Sequence, residues 1–258
     1  MDIKIARLQI NLAHLGYSPG DADGLDGGHT SSAIAAFRSA RGMPAGGIDS
    51  ALYDMVDSAL AEERAKVPVL SRDTVVGMFT HYSSTATTKY LTDAKLAGLN
   101  DAMKAGCLNT RDRISHFIGQ VFHESGGLRY FKELSSGTQY NGRTDLGNTE
   151  PGDGPRYKGR GPLQLTGRAN YHTYGLLLGK DLEENPEQAA DPDTGFLIAI
   201  TYWATHNLNA IADTSPQGSD RAFQAITRAV NGGTNGLEDR RRWLTASWMT
   251  LTEQSIVS

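Results

Sequence analysis

Apolar residues recur at helical spacing through the first part of the chain. The first set has the period of an amphipathic helix; its members are Ile5, Leu8, Leu12 and Leu15. "GYSPGDADGLDGGHT" then interrupts the pattern with glycine, proline and acidic residues, and two further helical patterns follow. Residues 1–63 are therefore predicted to form a three-helix unit, and the charged residues 64–70, which include Pro68, a linker.

The loop between the first two predicted helices raises the possibility of a metal site. Thr30 or Ser31 can cap the helix that follows this loop. In the register of a calcium loop, however, Leu25 and Ser32 stand where an oxygen ligand and a bidentate glutamate are needed. The loop is therefore expected to be a surface turn without a metal.

The clearest helical pattern lies in "NTRDRISHFIGQVFHESGG", residues 109–127. Asn109 or Thr110 can cap its start, and Gly126 and Gly127 stop it. Its apolar stripe follows the i, i+3, i+4, i+7, i+8 pattern and consists of Ile114, Phe117, Ile118, Val121 and Phe122.

Glu124 falls on this apolar stripe, in the last turn of the predicted helix. Poor solvation and the negative end of the helix dipole both disfavour an ionised carboxylate there. Such a group can hold a proton and then donate it, as the general acid of glycoside cleavage must. Periodicity equally allows a Glu124 that turns to solvent where the helix frays, or that pairs with an arginine.

Composition and charge restrict the other possibilities. The 258 residues are 39% hydrophobic and 21% charged, with a formal net charge of −4, which is ordinary for a globular protein of one or two domains. No block of like charge suggests a nucleic-acid partner, and the longest apolar run, "FLIAITYWA", is about half of the ~20 residues that span a bilayer.

Cys107 is the only cysteine, which excludes an intrachain disulfide and cysteine-based zinc sites. "MDIKIARLQINLAHLGY" lacks the apolar region of a signal peptide, so synthesis in a bacterial cytoplasm is expected.

"LQINLAHLGYSPGDADGLDGGHTSSAIAAFRSARGMPAGGID" resembles the small peptidoglycan-binding domain of the three-helix type. The likeness rests on a Leu-Gln helix, Leu-Gly-Tyr, Asp-Gly, a helix with a buried phenylalanine, and a second glycine turn. The segment "DGLDGGHT" departs from the family, whose members more often have an aromatic residue and then glycine before the threonine. The resemblance implies that bacterial peptidoglycan is a partner of this domain.

Four later segments together resemble the glycoside hydrolase family 19 fold, which plant-type chitinases share with many phage endolysins. They are "HFIGQVFHESGGLRYFKE", "YKGRGPLQLTGRANY", "NPEQAADPDTGFLIAITYWA" and "AVNGG". The resemblance implies a catalytic domain over residues 71–258. The whole chain is thus expected to be mainly α-helical, with a small three-helix binding domain and a lysozyme-like, α-rich glycosidase domain that has at most a small β element near residues 128–145.

The same resemblance implies two catalytic carboxylates. The glutamate of the family's His-Glu motif is the general acid, and it corresponds to Glu124. The carboxylate that activates water corresponds to Glu133 in "YFKELSSG". Plant chitinases place this second group later, in a longer loop, which keeps Asp145, Glu150 and Asp153 as competitors. An inverting mechanism needs roughly 6.5 to 9.5 Å between the two carboxyl groups.

Further site residues follow from their positions in the family motifs. Thr166 matches the hydroxyl residue that holds the attacking water. Arg240 matches an arginine that contacts the catalytic carboxylates, although helical spacing would place Arg241 on the apolar stripe of its helix. The glycine-rich residues 135–162 are expected to form a loop that grips substrate. The substrate-binding candidates are Gln164, Asn170, Asn231, Arg240, Tyr157, Arg160 and His123.

Together the two resemblances predict an endolysin that hydrolyses the β-1,4 glycosidic bonds of bacterial peptidoglycan, as a muramidase does. Two carboxylates and a water suffice for this reaction, so no cofactor or metal is expected. The protein is expected to be a monomer without stable membrane insertion, acting in the periplasm or cell wall and depending on a holin-like pore to reach it.

Three alternatives stay open at this point. The first is a chitinase, and the second is a wall-binding protein without activity. The third is a zinc amidase, for which no His-Glu-x-x-His arrangement exists; its candidate ligands would be the scattered histidines His81, His116, His123, His172 and His206.

Overall fold

The described part of the protein is mainly helical. The computed structural model describes residues 1–214 and 219–253. In these ranges, β-structure is limited to isolated bridges of Arg160 with Lys132 and with Leu165, so the mainly α-helical prediction is confirmed. Short 3-10 turns lie at Thr138–Tyr140, Thr144–Leu146 and Pro186–Ala190. The α-helices of the described ranges are α1 Ile3–His14, α2 Gly28–Ala40, α3 Ser50–Ala65, α4 Arg72–Tyr82, α5 Asp93–Ala105, α6 Arg111–Glu124, α7 Asp153–Arg156, α8 Arg168–Leu178, α9 Pro192–Thr205, α10 Leu208–Asp213, α11 Asp220–Asn231 and α12 Leu237–Glu253.

Helices α1, α2 and α3 pack around a core of their own. Asp2 and Asp49 begin α1 and α3 by accepting hydrogen bonds from backbone amides of the first turns. Cys107, from the following unit, joins this core. The residues of α1 to α3 in it are Leu8, Leu12, Ala33, Ile34, Phe37, Leu52, Val56, Ala59 and Leu60.

Helix α2 begins earlier than its sequence predicts. Gly27 takes the N-cap position without a side-chain hydrogen bond, so the prediction of Thr30 or Ser31 as the cap is wrong. Thr30 is instead buried, and its hydroxyl accepts a hydrogen bond from Gln9 Nε2 at 3.0 Å. This contact ties the first turn of α2 to helix α1.

Helix α6 runs through the middle of the larger unit. Every residue from Arg113 to Phe122 is buried, because α6 packs against α10, α11 and α12. Thr110 caps the helix by accepting a hydrogen bond from the Arg113 amide at 3.2 Å, which confirms one of the two predicted caps. Gly126 and Gly127 then take left-handed conformations, with φ of 59° and 68°, and turn the chain directly after Glu124.

The three-helix unit lies directly against the larger unit. Helix α3 continues to Ala65, so the first two residues of the expected linker are helical. Arg64 donates a hydrogen bond to the Ala105 carbonyl at 3.3 Å. The apolar part of the contact is formed by Ala6, Ile10, Ala13, Leu177 and Ala204.

Buried polar groups complete this interface. The Asn209 amide donates to the carbonyls of His14 and Gly106 at 2.8 and 2.9 Å, and its oxygen accepts from the Trp203 indole at 2.8 Å. Arg113 donates across the interface from Nη1 to the His14 carbonyl at 3.4 Å, and it forms a two-bond ion pair with the exposed Asp213 of its own unit, at 2.7 and 2.6 Å. Hydrogen-bonded groups at a buried contact fix its geometry, because a shifted arrangement would leave them unsatisfied. No helix of the described ranges is both long enough and apolar enough to cross a membrane.

Candidate active site

Glu124 and Glu133 face the same cleft. The cleft has a volume of about 320 Å³. Glu124 reaches it from the last turn of α6, and Glu133 from the extended segment that follows the glycine turn. The lining consists of Glu124, Tyr130, Lys132, Glu133, Leu134, Ser135 and Gln164. Two of the predicted catalytic residues and one predicted substrate-binding residue thus meet at one surface.

Arg240 holds the carboxylate of Glu124. Its guanidinium, 1% exposed, donates from Nη2 to Glu124 Oε1. The same group donates from Nη1 to Gln120 Oε1 at 2.6 Å and from Nε to the Asn235 carbonyl at 3.1 Å. Glu124 is therefore not in the purely apolar setting that its periodicity suggests, since a guanidinium covers one side of its carboxylate. Glu124 Oε2 forms no hydrogen bond with any described residue, and the side chain, 24% exposed, lines the cleft.

The choice between Arg240 and Arg241 is settled by their directions. Arg241 points outward and pairs with the exposed Asp220. Arg240 points inward from α12 and reaches Glu124. The motif position therefore identifies the arginine that touches the carboxylate, while the helical stripe suggested its neighbour.

Glu133 is surrounded by hydrogen-bond donors. Its Oε1 accepts from the Ser135 hydroxyl, from Gln139 Nε2 at 3.0 Å and from the Tyr140 hydroxyl at 3.2 Å. Its Oε2 accepts from the Gly159 amide at 3.0 Å. Burial alone would raise the pKa of Glu133, but these four donors outweigh it and lower the pKa below its ordinary value. Glu133 is thus prepared to be ionised, as a general base must be.

Gln164 enters the cleft from a strained turn. Its backbone is left-handed, with φ of 55°, a conformation that a residue with a side chain rarely adopts. The turn is closed by hydrogen bonds from the Gln164 amide and from its Nε2 to the Gly161 carbonyl, at 3.1 and 2.8 Å. Such strain is often kept where it places a functional group, and here the turn places Gln164 in the lining of the cleft that also holds the two carboxylates.

The other amide and hydroxyl candidates lie outside the lining of this cleft. Thr166 donates its hydroxyl to the Gln164 carbonyl at 2.8 Å, and the exposed Asn170 donates to the Thr166 carbonyl at 2.7 Å. Asn231 ends α11, and its buried Nδ2 has no hydrogen-bond partner among the described residues. The role of Thr166 in holding the attacking water and the roles of Asn170 and Asn231 in substrate binding stay predictions.

Tyr157 and Arg160 are inside the protein rather than on the cleft. Tyr157 is 1% exposed, and its hydroxyl donates to the Glu183 carbonyl at 3.1 Å. Arg160 is 2% exposed and donates to Glu187 at 2.5 Å and to the Tyr171 hydroxyl at 2.9 Å. This burial argues against the expectation that either side chain stacks on substrate or positions it, because no ligand can reach them.

The competing carboxylates are occupied elsewhere or lie outside the cleft. Asp153 forms a close ion pair with Arg168, at 2.5 Å, which lowers the pKa of Asp153. Asp145 pairs with Arg143 at 2.6 Å on the exposed loop. Neither of them lines the cleft with Glu124, nor does the exposed Glu150.

His123, next to Glu124 in sequence, is held by groups that the sequence did not point to. Its Nδ1 lies 2.6 Å from Asp239 Oδ2, and Asp239 Oδ1 accepts from the Tyr82 hydroxyl at 2.5 Å. Burial raises the pKa of Asp239, but the hydrogen bonds from Tyr82 and His123 lower it further, so the net shift is downward. Tyr82 and Asp239 could not be found from local spacing, since only the packing of α4 and α12 brings them to α6.

The histidines do not assemble a metal site in the described ranges. In residues 1–214 and 219–253, no three or more histidine, cysteine, aspartate or glutamate side chains are grouped so as to hold a metal ion. His116, for example, is buried beside Phe223, with both ring nitrogens unpartnered.

The comparison with known families agrees with the arrangement of the cleft. Residues 82–235 match the glycoside hydrolase family 19 profile, which is described as chitinase class I. The chain belongs to this family. Residues 4–52 match the profile of a peptidoglycan binding domain. The protein is thus a chitinase-like family 19 glycosidase with an N-terminal peptidoglycan-binding domain.

Individual relatives of this family 19 glycosidase match somewhat more than half of its chain. A family 19 domain-containing protein of Haemophilus influenzae is 30% identical over 179 residues, which are 57% of this chain and 84% of the relative. Acidic endochitinase Q of Nicotiana tabacum is 32% identical over 162 residues, or 56% of this chain and 62% of the relative. The match therefore spans less than two thirds of that plant enzyme.

Solved structures show the same relationship. Chitinase C from Streptomyces griseus is 26% identical, with a TM-score of 0.50, and the match covers 71% of this chain and 77% of the chitinase chain. A mutant of chitinase C is 25% identical, also with a TM-score of 0.50, over 71% of this chain and 93% of its own. These likenesses confirm the expected α-rich family 19 fold.

Proposed function

We propose that this protein is an endolysin that hydrolyses the β-1,4 glycosidic bonds of bacterial peptidoglycan. The observation that carries the proposal is the packing of a peptidoglycan-binding domain against a family 19 glycosidase whose cleft presents two carboxylates. Holding a catalytic cleft beside a wall-binding unit raises the local concentration of an insoluble substrate. In this role the protein is made in the bacterial host's cytoplasm, reaches the wall through a holin-like pore and acts there as a monomer.

The two carboxylates have distinct roles in the proposed reaction. Glu124 gives a proton to the glycosidic oxygen through Oε2, while Oε1 stays on Arg240. Glu133, whose pKa is lowered, takes a proton from a water molecule. The water oxygen bonds to the anomeric carbon from the opposite face as the carbon–oxygen bond to the leaving sugar breaks, so the anomeric configuration inverts. The reaction leaves Glu133 protonated and Glu124 ionised, and exchange with solvent restores both.

Arg240 and Gln164 are proposed to align these events. Arg240 is fixed by Gln120 and the Asn235 carbonyl as well as by Glu124, so it keeps the carboxylate in one orientation while the substrate binds. Gln164 presents an amide, which offers donors and an acceptor and therefore suits the uncharged hydroxyl and acetamido groups of a sugar. Correct placement of the acid and the water supplies a large part of the rate enhancement of such enzymes.

Chitin is the second candidate substrate. It shares N-acetylglucosamine units and β-1,4 bonds with peptidoglycan, and the tobacco relative is named an endochitinase. The N-terminal match to a peptidoglycan binding domain favours peptidoglycan as the substrate of this chain.

The deciding experiment uses purified insoluble peptidoglycan and measures new reducing ends and new free amines in parallel. Glu124→Gln and Glu133→Gln each remove one proposed catalytic carboxylate with little change in shape, and Glu150→Gln removes an exposed carboxylate outside the cleft as a control. We expect reducing ends from the wild type and from Glu150→Gln, and a fall of at least about 10²-fold with either cleft variant, since a positioned acid or base contributes about 10²–10⁴-fold. Release of free amines would instead indicate an amidase, and faster release from chitin than from peptidoglycan would favour a chitinase. No release from any substrate would indicate a binding protein.

A further inference from the structure

One cation beside the cleft has no counter-ion. Arg129 is exposed, and no carboxylate of residues 1–214 or 219–253 pairs with it. Its guanidinium carbon lies 5.3 Å from the centre of the Tyr90 ring and 4.8 Å from that of Tyr130. Aromatic faces attract a cation at these distances without neutralising its charge. Arg129 is therefore held in place and still free to bind an anion.

The turn that presents Arg129 is strained and well supported. The chain from Gly126 to Leu128 has three successive positive φ values, ending with 65° at Leu128. A left-handed leucine is unfavourable because its Cβ crowds the backbone. Ser125 Oγ accepts a hydrogen bond from the Leu128 amide at 2.9 Å, and Lys95 Nζ donates to the Leu128 carbonyl at 2.6 Å. These contacts fix the direction in which the chain leaves α6, and so the position of Arg129.

This direction places Arg129 at the edge of the cleft, next to a lining residue but not in the lining itself. Tyr130, one of the two rings that hold it, lines the same cavity as Glu124 and Glu133. Lys132 also lines the cavity, but its ammonium is already paired with Glu187 at 2.7 Å. A substrate anion can thus reach the guanidinium of Arg129 without displacing a protein carboxylate.

We propose that Arg129, held between Tyr90 and Tyr130, binds a carboxylate of the substrate and makes the cleft prefer a muramyl-containing glycan to an uncharged one. The inference rests on the proposed function. Peptidoglycan carries carboxylates on its lactyl groups or on the peptides attached to them, whereas chitin carries none. A planar guanidinium matches a carboxylate through two parallel hydrogen bonds, which gives this position selectivity that a neutral side chain lacks.

The test compares three substrates for the wild type, Arg129→Gln and Arg129→Lys. The first is intact sacculi from a Gram-negative bacterium, which lack teichoic acid. The second is the same sacculi after an amidase has removed the peptides and left free lactyl carboxylates. The third is an uncharged N-acetylglucosamine oligomer. Arg221→Gln is the matched control, because Arg221 is also an exposed arginine and lines a different cavity beside α11.

For Arg129→Gln we expect kcat/KM on a carboxylate-bearing substrate, relative to the uncharged oligomer, to fall about fivefold at low salt. The difference between the wild type and Arg129→Gln should shrink as ionic strength rises. Arg129→Lys should recover part of the relative kcat/KM that Arg129→Gln loses. A fall on intact sacculi alone identifies peptide carboxylates as the ligand, and a fall on the amidase-treated glycan alone identifies the lactyl carboxylate that the amidase sets free. A fall on both preparations shows that either carboxylate binds, and each of these three results supports the proposal.

Two results would overturn the inference while leaving the proposed function in place: an unchanged ratio for Arg129→Gln, or an equal loss on all three substrates. A wild type that cleaves the uncharged oligomer but neither sacculus preparation would overturn the proposed function as well. A change of ratio in Arg221→Gln equal to that in Arg129→Gln would show a general effect of net charge, and would also count against a specific carboxylate site.

Discussion

The guanidinium of Arg240, on α12, contacts the carboxylate of Glu124 at the end of α6. The two residues are 116 positions apart in sequence, and the packing of α12 against α6 brings them together. Because Arg240 also binds Gln120 and the Asn235 carbonyl, its own position does not depend on Glu124. The orientation of the proposed acid is thus set by the packing of the two helices.

Replacing Arg240 should therefore impair catalysis and stability together. We expect Arg240→Gln to lower kcat by about 10²-fold, because a small misplacement of a catalytic group is costly. The free energy of unfolding should fall by about 2 kcal/mol, because the buried Gln120 oxygen loses its donor and Glu124 its counter-ion. Hydrolysis kinetics and thermal unfolding measure the two effects.

The adjacent arginine provides the control for this prediction. Arg241 pairs with Asp220 at the surface, so Arg241→Gln should change kcat and the free energy of unfolding little. Arg240→Lys keeps the charge but not the planar fork, and we expect it to fall between the wild type and Arg240→Gln. Equal effects of the Arg240 and Arg241 variants would contradict the assigned contact.

The pH dependence of hydrolysis should report the donors around Glu133. They lower the pKa of Glu133, so the base stays ionised in more acidic solution than an ordinary glutamate does. The acidic limb of kcat/KM should then lie below the ordinary glutamate value of 4.5. Tyr140→Phe removes one donor to Glu133 and should move this limb to higher pH.

The loop itself offers a control for the Tyr140 variant. The Ser136 hydroxyl lies on the same loop and contacts Thr138, not Glu133. Ser136→Ala should therefore leave the acidic limb where it is. If Tyr140→Phe left the limb unmoved, or if Ser136→Ala moved it equally, the limb would not report the ionisation of Glu133.

The sequence predicted the helices and the family motifs better than the contacts between them. The apolar stripe of α6, its cap at Thr110 and the place of Glu124 follow from local periodicity and turn chemistry. The contact of Arg240 with Glu124 was predicted from the family motif and not from helical spacing. Asp239 and Tyr82 reach His123 only through tertiary packing, which no local pattern encodes. Tyr157 has the residue type of a substrate-stacking group, but its burial depends on how α7 and α8 fold over it.

The docking of the two units should be visible in thermal unfolding. The Asn209 side chain forms hydrogen bonds with three buried groups: the backbone carbonyls of His14 and Gly106, and the Trp203 indole. Asn209→Leu leaves all three unpaired and should lower the free energy of unfolding by about 3 kcal/mol, or the melting temperature by about 6–12 °C for a protein of this size.

The number of calorimetric unfolding transitions tests whether the two units unfold together. We expect the wild type to unfold in one cooperative calorimetric transition, because the two units share buried contacts. Asn11 lies on α1, and its side chain makes no hydrogen bond with any described residue, so Asn11→Leu should leave the melting temperature nearly unchanged. Two well-separated wild-type transitions would show that the units unfold independently.

His116 should make the protein less stable in mild acid. Burial, with a further contribution from the charge of Arg241, lowers the pKa of His116 from 6.5 to about 4. In the unfolded chain the ring binds a proton below its ordinary pKa, whereas in the folded protein it stays neutral down to the lowered value. The contribution of the neutral ring to the free energy of unfolding is fully present above pH 6.5. It is lost as pH falls toward 4, with a slope of up to about 1.4 kcal/mol per pH unit.

Removing the titrating ring should flatten this dependence. His116 packs against Phe223 and neither of its ring nitrogens has a partner, so His116→Leu breaks no hydrogen bond and keeps an apolar contact. Between pH 6.5 and 5, where most carboxylates remain ionised, denaturant unfolding should show a smaller loss of stability for His116→Leu than for the wild type. His29 is exposed, so His29→Gln should retain the wild-type slope. A slope unchanged in His116→Leu would mean that the ring is protonated in the folded protein as readily as in the unfolded chain, against the burial that the structure gives it.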